Sequence, residues 1–284
     1  MTIQRIAVIG AGIMGNGIAH VSALGGYDTV LIDVSQEALD KALETITKNL
    51  TRATELGKIQ PEDKDAALGR LTMQTRVPEA AAPCDMIIEA VPEKIDLKIK
   101  IFTTLDGVCK PEAIFATNTS SLSVTEIAAV TKRPKQFVGM HFFNPVHKMK
   151  LVEIIRALET DEETLRKTAE VALKMGKETV TIKESPGFVT SRINALIGNE
   201  AFYMLQEGVG SARDIDTALK LGLNHPMGPF EMVDLVGLDT RLAILEYLHR
   251  TLGEKYKPSP LMIQYVKAGR LGRKVGKGVY EYES

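Results

Sequence analysis

The hexapeptide GAGIMG at residues 10–15 constrains the fold more than any other stretch of the sequence. It has the spacing G-x-G-x-x-G and lies between a β-branched run at 3–9, which predicts a buried strand, and residues 14–26, which predict a helix. In such a unit the first glycine makes the tight turn, the second admits a pyrophosphate, and the third lets the helix pack on the strand. The unpaired N–H groups of the helix N-terminus then attract phosphate. We therefore predict a dinucleotide site with contacts from Gly10, Gly12, Ile13, Met14 and Gly15.

Asp33 indicates which dinucleotide binds. It ends the second predicted strand, TVLID, about 20 residues beyond the glycines. A carboxylate there accepts hydrogen bonds from both ribose hydroxyls and repels a 2′-phosphate, and the following residues, VSQEA, offer no arginine for such a phosphate. We predict NAD rather than NADP. The alternative is a glycine-rich turn with Asp33 as a helix N-cap, but glycine spacing, strand, helix and acid all agree with a cofactor site.

The order of predicted elements indicates the fold class. Apolar strand-like runs alternate with helical patterns as far as KETVTIKE, which predicts an α/β fold, a Rossmann-like doubly wound parallel sheet. Residues 35–59 read as one long helix with Ser35 as its N-cap, and residues 61–82 as helical or linking. From SPGF (185–188) onward only helices are predicted, among them one at 229–253. We place a dinucleotide-binding domain at 1–184 and an all-α domain for substrate binding and dimerisation at 185–284.

Composition narrows the class of protein. The 284 residues carry a net charge of −1 with no basic run, so we expect no nucleic-acid partner. No apolar stretch approaches the ~18 residues of a membrane span, and the N-terminus shows no secretory signal. The two cysteines, Cys84 and Cys109, lie in no metal-ligand spacing, and we expect reduced thiols, no metal site and a cytoplasmic protein.

Polar residues follow three later strands, where a parallel sheet presents its ligand site. Glu89 and Glu93 follow the first of these strands, Asn118 to Ser121 the second, and His141 and Asn144 the third. The sequence SVTE (123–126) has the spacing of a capping box for the next helix, which leaves Ser120 free for a ligand.

His141 and Glu153 are the candidate catalytic pair. Each is a titratable group in an apolar run, GMHFF and LVEII, and a buried carboxylate needs a partner. If the chain reverses near Pro145, the two meet. Glu153 would then fix the tautomer of the imidazole, and His141 would act as a general base for alcohol–ketone interconversion with NAD. The alternatives are a core histidine satisfied by a backbone carbonyl and a solvated glutamate on an edge strand. His147, in the expected turn, is predicted to be exposed.

Six segments together resemble the L-3-hydroxyacyl-CoA dehydrogenases, with the closest similarity to the bacterial 3-hydroxybutyryl-CoA dehydrogenases. HFFNPV and PMGPFE are more specific than the glycine loop, and the resemblance spans nearly the whole chain. The segments are GAGIMGNGIA, IIEAVPE, FATNTSSLSVTEIA, GMHFFNPVHKMKLVEII, SPGFVTSRINALIGNEA and GLNHPMGPFEMVDLVGLD.

The resemblance implies a Rossmann-like domain, a helical domain that dimerises, and an active site in the cleft between them. The family's histidine–glutamate pair falls on His141 and Glu153, and its substrate-contacting serine on Ser120. Its contacts to CoA fall between Asn49 and Lys58, on the helix after the second strand. Its contacts to NAD fall on Asp33, Glu93, Lys98, Ser120, Asn144 and Lys274.

One position departs from the family pattern. Where much of the family has a substrate-binding asparagine after PGFxx, this chain has Ser191. Its hydroxyl could keep the contact, directly or through water, or Asn194 could replace it, since residues three apart share a helix face. Asn194 as a capping or packing residue is equally consistent with the sequence.

The apolar residues along 188–205 and 230–248 exceed what a small helical domain buries alone, and we expect a homodimer. The predicted activity is interconversion of L-3-hydroxyacyl-CoA and 3-ketoacyl-CoA, with a short acyl chain. Two alternatives remain open. One is a lambda-crystallin-like gulonate dehydrogenase on the same scaffold, and the other is an NAD-binding protein without catalysis.

Overall fold

The computed structural model describes residues 2–283, which form two compact units that divide between Glu184 and Ser185. The first unit is an eight-stranded sheet with helices, and the second is helical. Each unit has a hydrophobic core of its own.

The sheet of the first unit has the strand order β3-β2-β1-β4-β5-β6-β7-β8. Its first six strands are parallel to one another, whereas β7 runs antiparallel to β6 and carries β8 with it. The predicted doubly wound sheet is thus confirmed, with a reversed pair at one edge. The chain order changes direction between β1 and β4, where ligands of open sheets bind. The strands are β1 (Arg5–Ile9), β2 (Asp28–Ile32), β3 (Leu71–Gln74), β4 (Met86–Glu89), β5 (Ile114–Thr117), β6 (Phe137–Phe142), β7 (Leu151–Arg156) and β8 (Glu178–Lys183).

Two helices of the first unit, α2 and α6, begin at the serine caps that the sequence predicted. The Ser35 hydroxyl accepts from the Ala38 N–H at 3.2 Å, and the Ser123 hydroxyl accepts from the Glu126 N–H at 3.1 Å. The helices are α1 (Ile13–Leu24), α2 (Gln36–Glu55), α3 (Pro61–Gly69), α4 (Val77–Ala81), α5 (Ile95–Asp106), α6 (Val124–Ala128) and α7 (Glu162–Lys174).

Two boundaries in this unit were predicted wrongly. Helix α2 ends at Glu55 rather than continuing to 59, and the segment 61–82 contains the strand β3 as well as two helices. Strand β3 has four residues, LTMQ, and alternates between half-buried and exposed positions beside β2. So short an edge strand has too little hydrophobic pattern to be distinguished from a linker.

The central strands are buried on both faces. Every residue of β4, β5 and β6 is buried, which is usual for parallel strands covered by helices. Polar side chains within these strands, such as Glu89 and His141, therefore need partners inside the protein.

Strands β6 and β7 bring the candidate catalytic pair together. Their antiparallel register places His141 directly opposite Glu153. Strand β7 lies between β6 and β8, so the reading of Glu153 as a solvated residue on an edge strand is wrong. The connecting loop, 143–150, is fastened by the Lys177 ammonium, which donates to the carbonyls of Val146 and Met149.

The second unit consists of five α-helices among its described residues. The predicted helix at 229–253 is two helices, because Gly237 breaks it with φ of +103°. Asp234 has a structural role, because its carboxylate accepts from the N–H groups of Val279 and Tyr280. None of the helices within residues 2–283 combines the length and apolarity needed to cross a bilayer. The helices are α8 (Thr190–Glu207), α9 (Ala212–Gly222), α10 (Pro229–Val236), α11 (Leu238–Leu252) and α12 (Pro260–Lys267).

Candidate active site

The glycine loop between β1 and α1 has the shape that the spacing predicts. Gly10 has φ of +101°, which favours glycine, and its N–H donates to the Ile32 carbonyl at 2.7 Å. A Cβ on Gly15 would lie 1.6 Å from the Gly10 oxygen, whereas a Cβ on Gly12 would meet nothing within 4 Å. Gly10 and Gly15 are therefore required by the turn itself. Gly12 instead faces open space, so a phosphate group can approach its backbone.

A cavity of about 820 Å³ extends from this loop across the carboxyl ends of β1, β2, β4, β5 and β6. At one end its wall is apolar, and there Ile32, Val34 and Val77 suit the flat face of an adenine. At the other end the wall carries polar groups, and there Ser120 and His141 suit a reacting centre. The cavity thus fits a dinucleotide in an extended form. Sequence reasoning missed Val77, because it follows the short strand β3 that was not predicted.

Asp33 lies at the end of β2 within this cavity wall. Its carboxylate accepts from the Ala11 N–H at 2.8 Å and from the Ser35 N–H at 3.0 Å. Ser35, rather than Asp33, caps α2. These bonds fix the carboxylate beside the glycine loop, where a ribose hydroxyl can reach it and a 2′-phosphate would be repelled.

His141 and Glu153 form a buried pair. His141 Nδ1 lies 2.7 Å from Glu153 Oε2, Glu153 is fully buried, and His141 is 7% exposed and lines the cavity. A carboxylate only accepts hydrogen bonds, so Nδ1 carries the proton and donates it. The tautomer is thereby fixed, and Nε2 is the hydrogen-bond acceptor of the ring. The Phe143 ring lies 4.4 Å from the imidazole, centroid to centroid.

Ser120 and Asn118 follow β5 on the same wall of the cavity. The Ser120 N–H donates to the Glu93 carboxylate at 2.9 Å, and the Asn118 side-chain oxygen accepts from the Phe142 N–H at 2.9 Å. Asn118 therefore ties the end of β5 to the end of β6, close to His141. Its function as a strand-end tie was not apparent from the sequence.

Lys98, a predicted cofactor contact, lies behind the wall of the cavity and does not line it. It is fully buried on α5, and its ammonium lies 2.7 Å from Glu89 and 3.3 Å from Glu93. The cavity wall beside it is formed by Glu93 and Leu97. Lys98 therefore reaches the cavity wall only through its ion pair with Glu93.

A second cavity, of about 410 Å³, lies on the other side of the glycine loop. Asn144 and Asn49 both line it, together with Lys41 and His147. Lys58, beyond the end of α2, is exposed. His147 was predicted to be exposed, but it is half-buried because its ring stacks on His20 at 5.6 Å between centroids. Burial lowers the pKa of His147, and the neighbouring lysines lower it further.

The remaining predicted site residues lie in the second unit. Ser191 and Asn194 occupy the first turns of α8, and both are half-buried. The ammonium of Lys274 pairs with the Asp239 carboxylate at 2.6 Å.

Two family models match the chain, and between them they cover nearly all of it. The model described as "3-hydroxyacyl-CoA dehydrogenase, NAD binding domain" matches residues 5–185, and the model of the same family's C-terminal domain matches residues 187–282. This chain belongs to the 3-hydroxyacyl-CoA dehydrogenase family. The resemblance noted in the sequence is confirmed, and the α/β unit is an NAD-binding domain.

Three relatives illustrate how far the similarity extends. A 3-hydroxybutyryl-CoA dehydrogenase of Bradyrhizobium diazoefficiens is 48% identical, over 99% of this chain and 96% of that protein. A probable 3-hydroxybutyryl-CoA dehydrogenase of Bacillus subtilis is 47% identical over 100% and 99% of the two chains. The crystal structure of (S)-3-hydroxybutyryl-CoA dehydrogenase from Ralstonia eutropha matches with a TM-score of 0.96 and 44% identity, covering both chains completely.

Proposed function

We propose that this dehydrogenase interconverts an L-3-hydroxyacyl-CoA and the corresponding 3-ketoacyl-CoA, with 3-hydroxybutyryl-CoA and acetoacetyl-CoA as the short-chain pair. The observation that carries the proposal is the 2.7 Å contact between His141 and Glu153, located on the wall of the cavity that begins at the glycine loop. The names of the relatives in Bradyrhizobium and Ralstonia support the substrate class.

His141 is the proposed general base. In the oxidative direction Nε2 accepts the proton of the substrate hydroxyl, while Nδ1 stays bonded to Glu153 and the resulting imidazolium is stabilised by that carboxylate. In the reductive direction the same nitrogen returns the proton to the oxygen. NAD, when bound, supplies the hydride chemistry at the adjacent carbon. Ser120 is the proposed partner of the substrate oxygen, because it lines the cavity together with His141.

Cofactor contacts are proposed for the residues of the first cavity and its surroundings. Asp33 would bind the adenosine ribose, and Glu93 would bind the ribose at the polar end. Asn144 would contact NAD from the other side of the glycine loop, and Lys98 would act on NAD only through Glu93. Lys274 is retained as a proposed NAD contact from the second unit. The backbone contacts are proposed for Gly10, Gly12, Ile13, Met14 and Gly15.

Substrate contacts are proposed for the second cavity and for α8. Asn49 and Lys58 would contact CoA, and the polar lining around Asn49 supports this. Either Ser191 or Asn194 would replace the family's asparagine, and separate alanine variants of the two would show which one affects kcat/KM.

We further propose a cytoplasmic homodimer. Free, buried thiols at Cys84 and Cys109 suit a reducing compartment. Exposed apolar side chains in the second unit, including Ile193 at 54% and Leu221 at 82%, suit a partner surface. Light scattering at micromolar concentration tests the dimer, and a monomer would contradict it.

The decisive experiment is NADH oxidation with acetoacetyl-CoA, followed by longer 3-ketoacyl-CoAs and by NADPH. We expect turnover with NADH and a loss of turnover in His141→Ala that leaves NADH binding intact. Oxidation of gulonate without activity on acetoacetyl-CoA would instead favour the lambda-crystallin-like alternative. NADH binding without any turnover would favour a non-catalytic protein.

A further inference from the structure

A buried charge network lies behind the polar end of the NAD cavity. The Lys98 ammonium donates to both carboxylate oxygens of Glu89, at 2.7 and 2.9 Å, and lies 3.3 Å from Glu93. Lys98 and Glu89 are both fully buried. Ions removed from water are costly unless they are paired and hydrogen-bonded, and here each ion has a partner of opposite charge.

The Glu89 carboxylate accepts hydrogen bonds from three different residues. Besides Lys98, its carboxylate accepts from the Val91 N–H at 2.7 Å and from the Thr117 hydroxyl at 2.6 Å. The bond from Thr117 joins the end of β5 to the end of β4, and the bond from Val91 holds the carboxylate against its own backbone. Glu89 therefore anchors Lys98 in one position.

Glu93 is the member of the network that reaches the cavity. One of its oxygens accepts from the Ser120 N–H at 2.9 Å and from the Thr119 hydroxyl, and the other faces Lys98. Two carboxylates and one ammonium leave a single negative charge on Glu89, Lys98 and Glu93 together. That charge lies at the end of the cavity where Ser120 and His141 suit the reacting centre.

We propose that the net negative charge of Glu89, Lys98 and Glu93 makes this end of the cavity favour NAD⁺ over NADH. The inference rests on the proposed placement of the nicotinamide beside Ser120 and His141. The nicotinamide ring is positive in NAD⁺ and neutral in NADH, so a net negative charge nearby stabilises the oxidised form. Removing one charge about 10 Å away, at an effective dielectric constant of ~20, changes a binding constant roughly tenfold.

The test compares the dissociation constants of NAD⁺ and NADH, measured by calorimetric titration in the absence of any acyl-CoA. In Glu89→Gln the network becomes neutral, and we expect the ratio Kd(NAD⁺)/Kd(NADH) to rise roughly tenfold. In the double variant Glu89→Gln/Lys98→Met only Glu93 keeps its charge. The net charge is again −1, and the ratio is expected to return to within threefold of the wild type.

Asp85→Asn provides a matched control. Asp85 precedes β4, at the opposite end of the strand from Glu89, and pairs with Lys110 at 2.7 Å. Its loss removes a similar ion pair remote from the cavity, so the ratio is expected to stay unchanged. A merely structural effect of losing a paired carboxylate would act on the melting temperature in both variants and leave the ratio alone.

Two results would overturn the proposal: a ratio in Glu89→Gln within threefold of the wild type, or a ratio that stays shifted in the charge-restored double variant. If Glu89→Gln does not fold, Glu93→Gln gives the same net charge from the cavity side, and an unchanged ratio there also overturns it. Because no acyl-CoA is present, failure of the proposed substrate or of His141 as base leaves these outcomes unaffected, so the two proposals fail separately.

Discussion

Replacing Glu153 by glutamine tests the proposal that His141 is the general base and that Glu153 acts by orienting and stabilising it. The substitution keeps the size of the side chain and an oxygen that can accept from His141 Nδ1, but it removes the charge 2.7 Å away. A hydrogen bond to a charged group contributes about 1.5–3 kcal/mol and a neutral one about 0.5–1.5. Two unit charges about 4 Å apart attract by about 4 kcal/mol at an effective dielectric constant of 20. Losing that support for the imidazolium should cost about 2–4 kcal/mol in the transition state.

Each 1.36 kcal/mol is a factor of ten in rate, so kcat for 3-hydroxybutyryl-CoA oxidation, the direction in which the imidazolium forms, should fall about 30- to 1,000-fold in Glu153→Gln. The assay is steady-state NAD⁺ reduction, with NAD⁺ binding as the control that should not change. The double variant Glu153→Gln/His141→Ala should be no slower than His141→Ala alone, since the glutamate acts only through the histidine. A kcat within threefold of the wild type, or an additive loss in the double variant, would refute this division of roles.

The other predictions concern the cofactor loop and the buried histidine. Asp33→Ala should lower the ratio of kcat/KM for NADH over NADPH at least tenfold, because the repulsive carboxylate is gone; an unchanged ratio would exclude Asp33 as the selector. Gly12→Ala should melt like the wild type yet lose NADH affinity, whereas Gly15→Ala should lower the melting temperature, because its Cβ meets the Gly10 oxygen; equal melting of both variants would contradict the loop geometry. Burial first, and then His147 and Lys177, lower the pKa of His20 from 6.5 to about 4. The unfolded chain therefore binds more protons between these values, and stability is lost as pH falls below 6.5, by about 2 kcal/mol at pH 5; urea unfolding of the wild type and His20→Gln should show a smaller loss in the variant.

The sequence was sufficient for the parts of this protein that depend on local chemistry. The glycine spacing, the capping serines and the apolar strands each predict a local structure, and the structure confirms the glycine turn, the caps at Ser35 and Ser123 and the parallel sheet. The meeting of His141 and Glu153 was also predictable, because a chain reversal at Pro145 can place residues on either side of it opposite each other. Their roles in catalysis remain predictions.

The features that were mispredicted depend on tertiary packing, which cannot be deduced from local sequence patterns. Strand β3 is recognisable only through its pairing with β2, and the break at Gly237 lies inside an otherwise helical pattern. His147 was misjudged because nothing in its own segment points to His20, which lies on α1 and reaches it only through the fold. Lys98 matches a position at which the family contacts NAD. Its burial behind Glu93 depends on how α5 packs in the fold, which the sequence around Lys98 does not indicate.

The antiparallel pairing of β6 with β7 limits which insertions and deletions this protein can tolerate. Side chains alternate between the two faces of a strand, so deleting one residue inside β7 would send the position of Glu153 to the opposite face of the sheet. A change of length within the bend at 143–150 would leave that alternation intact, but the bend also holds Asn144 beside the glycine loop and is fastened through the carbonyls of Val146 and Met149. A single-codon deletion between Leu151 and Glu153 would separate Glu153 from His141 even if the bend kept all of its own contacts.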